Sequence, residues 1–350
     1  MTLKGTRTTM TVLPPDALGL ATGYDPSVDV RGLAGSATAA EAHGFDIAFF
    51  SETLFTNRDS ASAVSAMALS TSQVQLGTTQ VVKLRSPLVM AQTAATLDEL
   101  SGGRMVLVLG AYTAKHADRN GVPLTDPLPT LNEYVEAIRR LLRGETVDLD
   151  GDVVQMRGAR LNFTPVRPEI PIWIAATTRK GLLNAGAIGD GALLDAGASP
   201  EYAANAIAVL REGSERARRD PDRLRIAQLV NTSIEDDRAT AIDAMRWEVA
   251  TKFTYRSTPR AKLTVGEPTI DRDDLAGFEA AFTAGGKEAL ARAIPESYVT
   301  GLTAAGTIDD VRARIAEYRA AGVHLPLVRP AAPRQLDALL SLASDRKAAV

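Results

Sequence analysis

Thr96-Leu97-Asp98-Glu99-Leu100-Ser101-Gly102-Gly103-Arg104-Met105-Val106-Leu107-Val108-Leu109-Gly110 decides the fold. Apolar residues recur at helical spacing from Ala91 to Leu100. Gly102-Gly103 stops that helix, because glycine takes the left-handed position after a last turn without steric cost. Met105 to Leu109 is then an unbroken apolar run closed by Gly110. Short runs of this kind fit strands covered on both faces, as in parallel sheets. A helix that hands over to a buried strand within a few residues is a joint of an α/β protein.

The same alternation runs along most of the chain. Strands are expected at Thr8–Leu13, Phe45–Ser51, Val74–Val82, Met105–Leu109, Pro171–Ala176, Ala192–Leu194, Leu224–Thr232 and Val323–Val328. Helices are expected between them, the clearest at Pro129–Arg143, where Leu131, Tyr134, Val135, Ile138, Leu141 and Leu142 share one face. Thr146 to Arg160 reads as a short β ribbon, and about 252–299 as a polar, irregular or helical insertion. Eight strand–helix units in a chain of this size predict a single (β/α)8 TIM barrel with the insertion between strands seven and eight. No G-x-G-x-x-G follows the first strand, which argues against a Rossmann dinucleotide fold.

Composition narrows the function. The 350 residues carry a formal net charge of -3 and no cysteine. Disulfides, thiolate metal sites and a cysteine nucleophile are therefore excluded, and a reducing, cytoplasmic setting is expected. Near-neutral charge makes no case for nucleic acid or a membrane surface. No run reaches the roughly 18 apolar residues of a membrane span. His43, His116 and His324 stand far apart without ligand spacing, so no metal site is expected.

Barrel enzymes place their chemistry at the C-terminal ends of the strands. That rule selects Pro14–Asp16, Glu52–Arg58, Thr79–Arg85, Gly110–Thr113, Ala176–Lys180 and Asp195–Ser199. Ala176-Thr177-Thr178-Arg179-Lys180 leads from a strand end into a helix N-terminus, where free N–H groups and the helix dipole favour an anion. Arg179 and Lys180 in a first turn are unfavourable unless an anion sits there. The same residues also fit a threonine-capped helix with solvated cations. Gly110 allows close approach of a flat ring, or serves as a simple turn glycine. Lys83 and Arg85 add charge near the same end.

Several segments together resemble the luciferase-like superfamily of flavin- and deazaflavin-dependent barrel oxidoreductases, nearest the methylenetetrahydromethanopterin reductase branch. They are Gly44-Phe45-Asp46 with Ser51-Glu52, Leu76-Gly77-Thr78, Arg85-Ser86-Pro87, Ala95 to Arg104, Pro171 to Ala176, Ala185-Gly186-Ala187-Ile188-Gly189-Asp190-Gly191-Ala192 and Ala305 to Asp310. The resemblance implies a cofactor phosphate at Ala176, Thr177, Thr178, Arg179 and Lys180, although relatives usually have Gly-Pro in place of Thr178-Arg179. It implies a non-prolyl cis peptide at Thr79-Gln80, bulging behind the middle of the cofactor ring, with Gly110 beside it. Many relatives carry an acidic residue and then histidine where this chain has Glu52-Thr53. Histidine-based proton transfer is thereby lost, leaving Glu52 as candidate acid or base, or as the partner of a cation such as Arg58.

The function so implied is hydride transfer between coenzyme F420 and a small organic substrate of imine or activated-alkene type. An FMNH2-dependent monooxygenase is the runner-up, and a degenerate non-catalytic homologue the third reading. A homodimer is implied as well. The insertion is expected over the barrel mouth, with Phe253, Tyr255, Phe278, Phe282 and Tyr298 as its core or as substrate contacts. Asp98, Glu99 and Arg104 fall on the opposite, stability face, where structural ion pairing is their expected role.

Overall fold

A computed structural model describes residues 13–52, 58–254 and 257–347. Eight parallel strands close into a barrel: β1 Gly19–Thr22, β2 Ile47–Ser51, β3 Gln75–Val81, β4 Met105–Gly110, β5 Ile172–Ala176, β6 Gly191–Leu194, β7 Arg225–Ile234 and β8 Leu325–Pro330. Closure is made where β1 pairs with β8, Gly19 opposite Leu327. The expected ribbon is the antiparallel pair Val147–Asp150 and Gln155–Ala159.

One strand differs from expectation. The first barrel strand is Gly19–Thr22; residues 8–12 lie outside the described residues, and Leu13 packs against the interior core. Gly-Leu-Ala-Thr is too short and too small in side-chain volume to announce a strand. It is one because it lies between β2 and β8, with every residue but Thr22 buried. Pro14–Asp16 consequently precede β1 at the stability face, and Tyr24 follows it at the mouth.

The barrel interior is filled by side chains. Ala21, Ile47, Phe49, Val106, Val108, Trp173, Leu193, Ala227, Leu229, Leu325 and Leu327 form its core. Gly77 gives Phe49 its space: a Cβ there would lie 2.4 Å from the ring. Alternate residues face outward and pack against the helices in a larger core.

The opening joint folds as read. Helix Pro87–Ser101 ends on Gly102 at φ 69° in the left-handed region, and β4 follows. Asp98 is fully buried and forms a forked pair with Arg167, at 3.0 Å to Nε and 2.5 Å to Nη2, and accepts the Met105 N–H at 3.1 Å. Among the described residues Arg104 makes no ion pair: it donates to the carbonyls of Ser101, Val74, Thr71 and Ala68, lacing two helix–strand joints together. Glu99 is exposed.

The insertion is helical rather than irregular. It comprises Ser257–Leu263, Asp274–Ala293, which kinks at Gly285-Gly286, and Glu296–Leu302, all beside helix Arg238–Phe253. Phe253, Phe278 and Tyr298 meet edge to face at 5.2–5.6 Å between centroids and form its own core. Phe282 is exposed, and Tyr255 lies outside the described residues. Strand Ala304–Gly306 then pairs with the far end of β7. Among the described residues, no helix is long and apolar enough to cross a membrane.

Candidate active site

The inward columns of most strands turn polar at their C-terminal ends, and that of β4 ends in glycine. Above the apolar interior lie Ser51 on β2, Thr79 on β3, Gly110 on β4, Asp195 after β6, Asn231 on β7 and Arg329 on β8, by the same alternation that sends Phe49, Val108, Leu193, Leu229 and Leu327 inward. These residues, with Tyr24, form the mouth.

Tyr24 donates to Ser51 Oγ, and the Arg329 guanidinium carbon sits 4.2 Å from the centre of its ring. Arg329 in turn pairs with Glu248 of helix Arg238–Phe253. Burial pushes the Tyr24 phenol up to about 12, with the Arg329 charge pulling the other way, so its proton stays on through neutral pH. Asn231 is fully buried, and neither of its amide atoms finds a partner among the described residues.

Asp195 ties the insertion to the barrel. Lys252 Nζ reaches its Oδ1 at 2.8 Å and Lys262 Nζ its Oδ2 at 3.4 Å. Lys262 also donates to the carbonyls of Ala196 at 2.7 Å and Gly197 at 2.5 Å. Burial pushes Asp195 up, but the two ammonium groups outweigh it and hold the carboxyl well below the usual range. Burial pushes Lys262 down to about 8, against the pull of Asp195.

The Lys262 shift sets a pH dependence. Its unfolded value is 10.5 and its folded value about 8, so the unfolded chain binds more protons between them. The contribution of Lys262 to stability therefore rises with pH across that window. Asp195 has the opposite sense: its contribution is present above its unfolded value of 3.8 and is lost as pH falls through its lower folded value. The stability of wild type relative to Lys262→Met is expected to grow from about pH 8 to about pH 10 in urea titrations. A constant or shrinking difference contradicts this.

Glu52 stands at the rim rather than in the mouth. Both carboxylate oxygens are engaged, with Arg85 at 2.8 and 3.0 Å and Ser60 Oγ at 2.8 Å. Arg85 also takes Asp59 at 2.8 Å. Arg58, the cation named as a possible partner, instead donates to the Pro26 carbonyl. Thr53 lies outside the described residues. Lys83 is held by the Pro123 carbonyl and Thr125. Tyr112 is buried, with its hydroxyl on the Val122 carbonyl, so it backs the wall.

Thr79 faces the mouth beside Gly110. Every peptide bond among the described residues is trans, so the cis bond implied at Thr79-Gln80 is not formed. β3 keeps regular register with β4 through Val81 opposite Gly110, which leaves no bulge there. Gln80 is fully buried on the outward face, its amide atoms without partners among the described residues.

Gly110 is not required by packing. A Cβ there would meet Thr79 Cγ2 at 3.7 Å and Gln80 O at 3.9 Å, ordinary contacts, and its φ is not positive. What its missing side chain leaves is room above the strand end.

At the fifth strand, Ala176 packs toward the helices and the Tyr202 hydroxyl braces the Thr177 carbonyl at 3.0 Å. Thr178 caps helix Arg179–Ile188, accepting the Gly181 N–H at 3.0 Å. Arg179 pairs with Glu212 at 2.7 Å, and Lys180 is exposed. The first-turn N–H groups of Arg179 and Lys180 have no carbonyl within the helix to bond.

Tyr24, Asn231, Arg329 and Glu248 were not legible as one group, because barrel closure and the insertion bring them together. A signal existed for two of them. The inward columns Ala227-Leu229-Asn231 and Leu325-Leu327-Arg329 each turn polar at a strand end.

A family model described as luciferase-like monooxygenase matches residues 10–325. A 5,10-methylenetetrahydromethanopterin reductase of Methanolobus tindarius is 32% identical over 302 residues, covering 86% of this chain and 90% of that protein. An F420-dependent glucose-6-phosphate dehydrogenase of Nakamurella multipartita is 32% identical over 267 residues, 70% of this chain and 76% of that one. The solved structure of the coenzyme F420 dependent tetrahydromethanopterin reductase of Methanopyrus kandleri superposes with a TM-score of 0.81 at 24% identity, covering 94% and 97% of the two chains.

Proposed function

The chain belongs to the luciferase-like monooxygenase family, and from that membership and the form of the mouth we propose a coenzyme F420-dependent oxidoreductase. It passes hydride between the deazaflavin and a small organic substrate, of imine or activated-alkene type. The observation that carries this is Gly110. Packing does not ask for glycine there, and the absent side chain at the C-terminal end of β4 would let a flat ring come close to the backbone. Relatives named as F420-dependent support the choice of ring.

Thr79 and Gly110 would hold the ring. The N–H groups of Arg179 and Lys180, with Thr177 and Thr178, would hold its phosphate. Bound there, the cofactor supplies the hydride chemistry. The chain's own part is to hold, shield and manage protons. Glu52 fixes the rim through Arg85 and Ser60. Tyr24 keeps a proton at Oη, linked to Ser51, on the substrate side. The insertion, pinned by Asp195 and the two lysines, limits water. A homodimer belongs to the same reading; apolar Leu69, Val89 and Leu100 are exposed on neighbouring helices, and sedimentation velocity tests it.

The function is tested by anaerobic titration of the purified protein with F420 and with reduced FMN, followed by ring fluorescence. Saturable binding of F420 in preference to FMN is expected. Preference for reduced FMN, with oxygen consumed on admission of air, establishes the monooxygenase chemistry instead. Binding of neither ring overturns both.

A further inference from the structure

The Asn231 carboxamide is fully buried at an inward position of β7. Its Oδ1 and Nδ2 find no partner among the described residues. Arg329 lies opposite it on β8. The Arg329 side chain is buried too, and its Nε lacks a partner, although its Nη2 pairs with Glu248 and its flat face rests on Tyr24. Folded chains seldom leave buried polar groups unpaired, because each such group forfeits the hydrogen bonds it made with water. Two unpaired groups side by side, both on inward positions at the mouth, point to a ligand.

Their chemistry describes its edge. Asn231 offers one acceptor and a donor pair, and Arg329 Nε offers one more donor. A carboxylate has nothing to give Oδ1, and a hydrocarbon answers neither group. A planar ring with an N–H between two carbonyls answers all three: its N–H donates to Oδ1, one carbonyl accepts from Nδ2, and the other accepts from Arg329 Nε. A lactam, with N–H beside a single carbonyl, satisfies Asn231 alone.

We propose that Asn231 and Arg329 form a docking edge for a cyclic imide. The proposal rests on the mouth being the ligand site, as above. Such an edge has two sources, the pyrimidinedione side of the deazaflavin ring or a substrate carrying the same group.

Wild type, Asn231→Leu and Asn231→Asp are titrated with oxidised F420. They are then titrated with lumazine, a neutral pteridinedione, with and without F420 present. Asn231→Leu is expected to weaken one probe by about 10- to 100-fold, the worth of two neutral hydrogen bonds. It should also raise the thermal midpoint of the ligand-free protein, since an unpaired buried amide is gone. Asn231→Asp keeps the shape, loses the donor and weakens the same probe; it serves if the leucine variant fails to fold. Loss of F420 affinity assigns the edge to the cofactor. Loss of lumazine affinity with F420 unchanged assigns it to the substrate. Equal affinities in all three proteins for both probes overturn the proposal. A wild type that binds no F420 refutes the functional reading separately. The lumazine series then decides: dependence on position 231 upholds the docking edge, and its absence overturns it.

Discussion

Asp98→Ala is expected to remove about 3–5 kcal/mol of stability, the usual consequence of stranding one half of a buried ion pair. Asp98 is fully buried, and Arg167 leans its guanidinium on both carboxylate oxygens. Truncation leaves that cation with the Met105 carbonyl alone among the acceptors described, and frees the Met105 N–H that Asp98 accepted. The loss comes from the abandoned charge rather than from the worth of the pair, so a second change should restore much of it. Asp98→Ala with Arg167→Met is expected to recover at least half of the loss in urea unfolding. A single variant within about 1 kcal/mol of wild type, the range of a surface pair, shows that the joint is not held this way.

Gly110→Ala should separate folding from binding. The added methyl meets only ordinary contacts at 3.7 Å or more. Alanine also loses less backbone entropy on folding, so stability should hold or rise by up to about 1 kcal/mol. A ring seated against that strand end meets the methyl head on. Overfilling a close contact by one methyl costs about 1–3 kcal/mol, or about 5- to 150-fold in F420 affinity. Gly77→Ala is the contrasting control: its methyl would lie 2.4 Å from the Phe49 ring and 3.1 Å from Ile47 Cδ1, and should unsettle the barrel itself. Equal F420 affinity in wild type and Gly110→Ala removes Gly110 from the site.

Local rules gave the parts of the fold whose causes are local. A left-handed glycine after a helix and an apolar run after it read correctly because both effects act within a few residues. Gly19–Thr22 did not, since its strand character comes from neighbours distant in sequence. The site divides along the same line. Gly110 and the Thr177–Lys180 turn, proposed to hold the cofactor, lie at strand ends, and counting strands is enough to place them there. Arg85, read from the sequence only as added charge near that end of the barrel, is bound to Glu52, and only the folded chain brings those two together. Tyr24 was displaced from view by the misplaced first strand. Asn231 and Arg329 meet only because β7 and β8 are neighbours, yet each marks itself as the polar end of an apolar column.

The most direct measurement is a crystal structure of the protein soaked with oxidised F420 under anaerobic conditions. The ring is expected in the mouth against Gly110 and Thr79, with its phosphate on the N–H groups of Arg179 and Lys180. Density for the cofactor anywhere else, or a mouth left empty at saturating F420, contradicts that assignment.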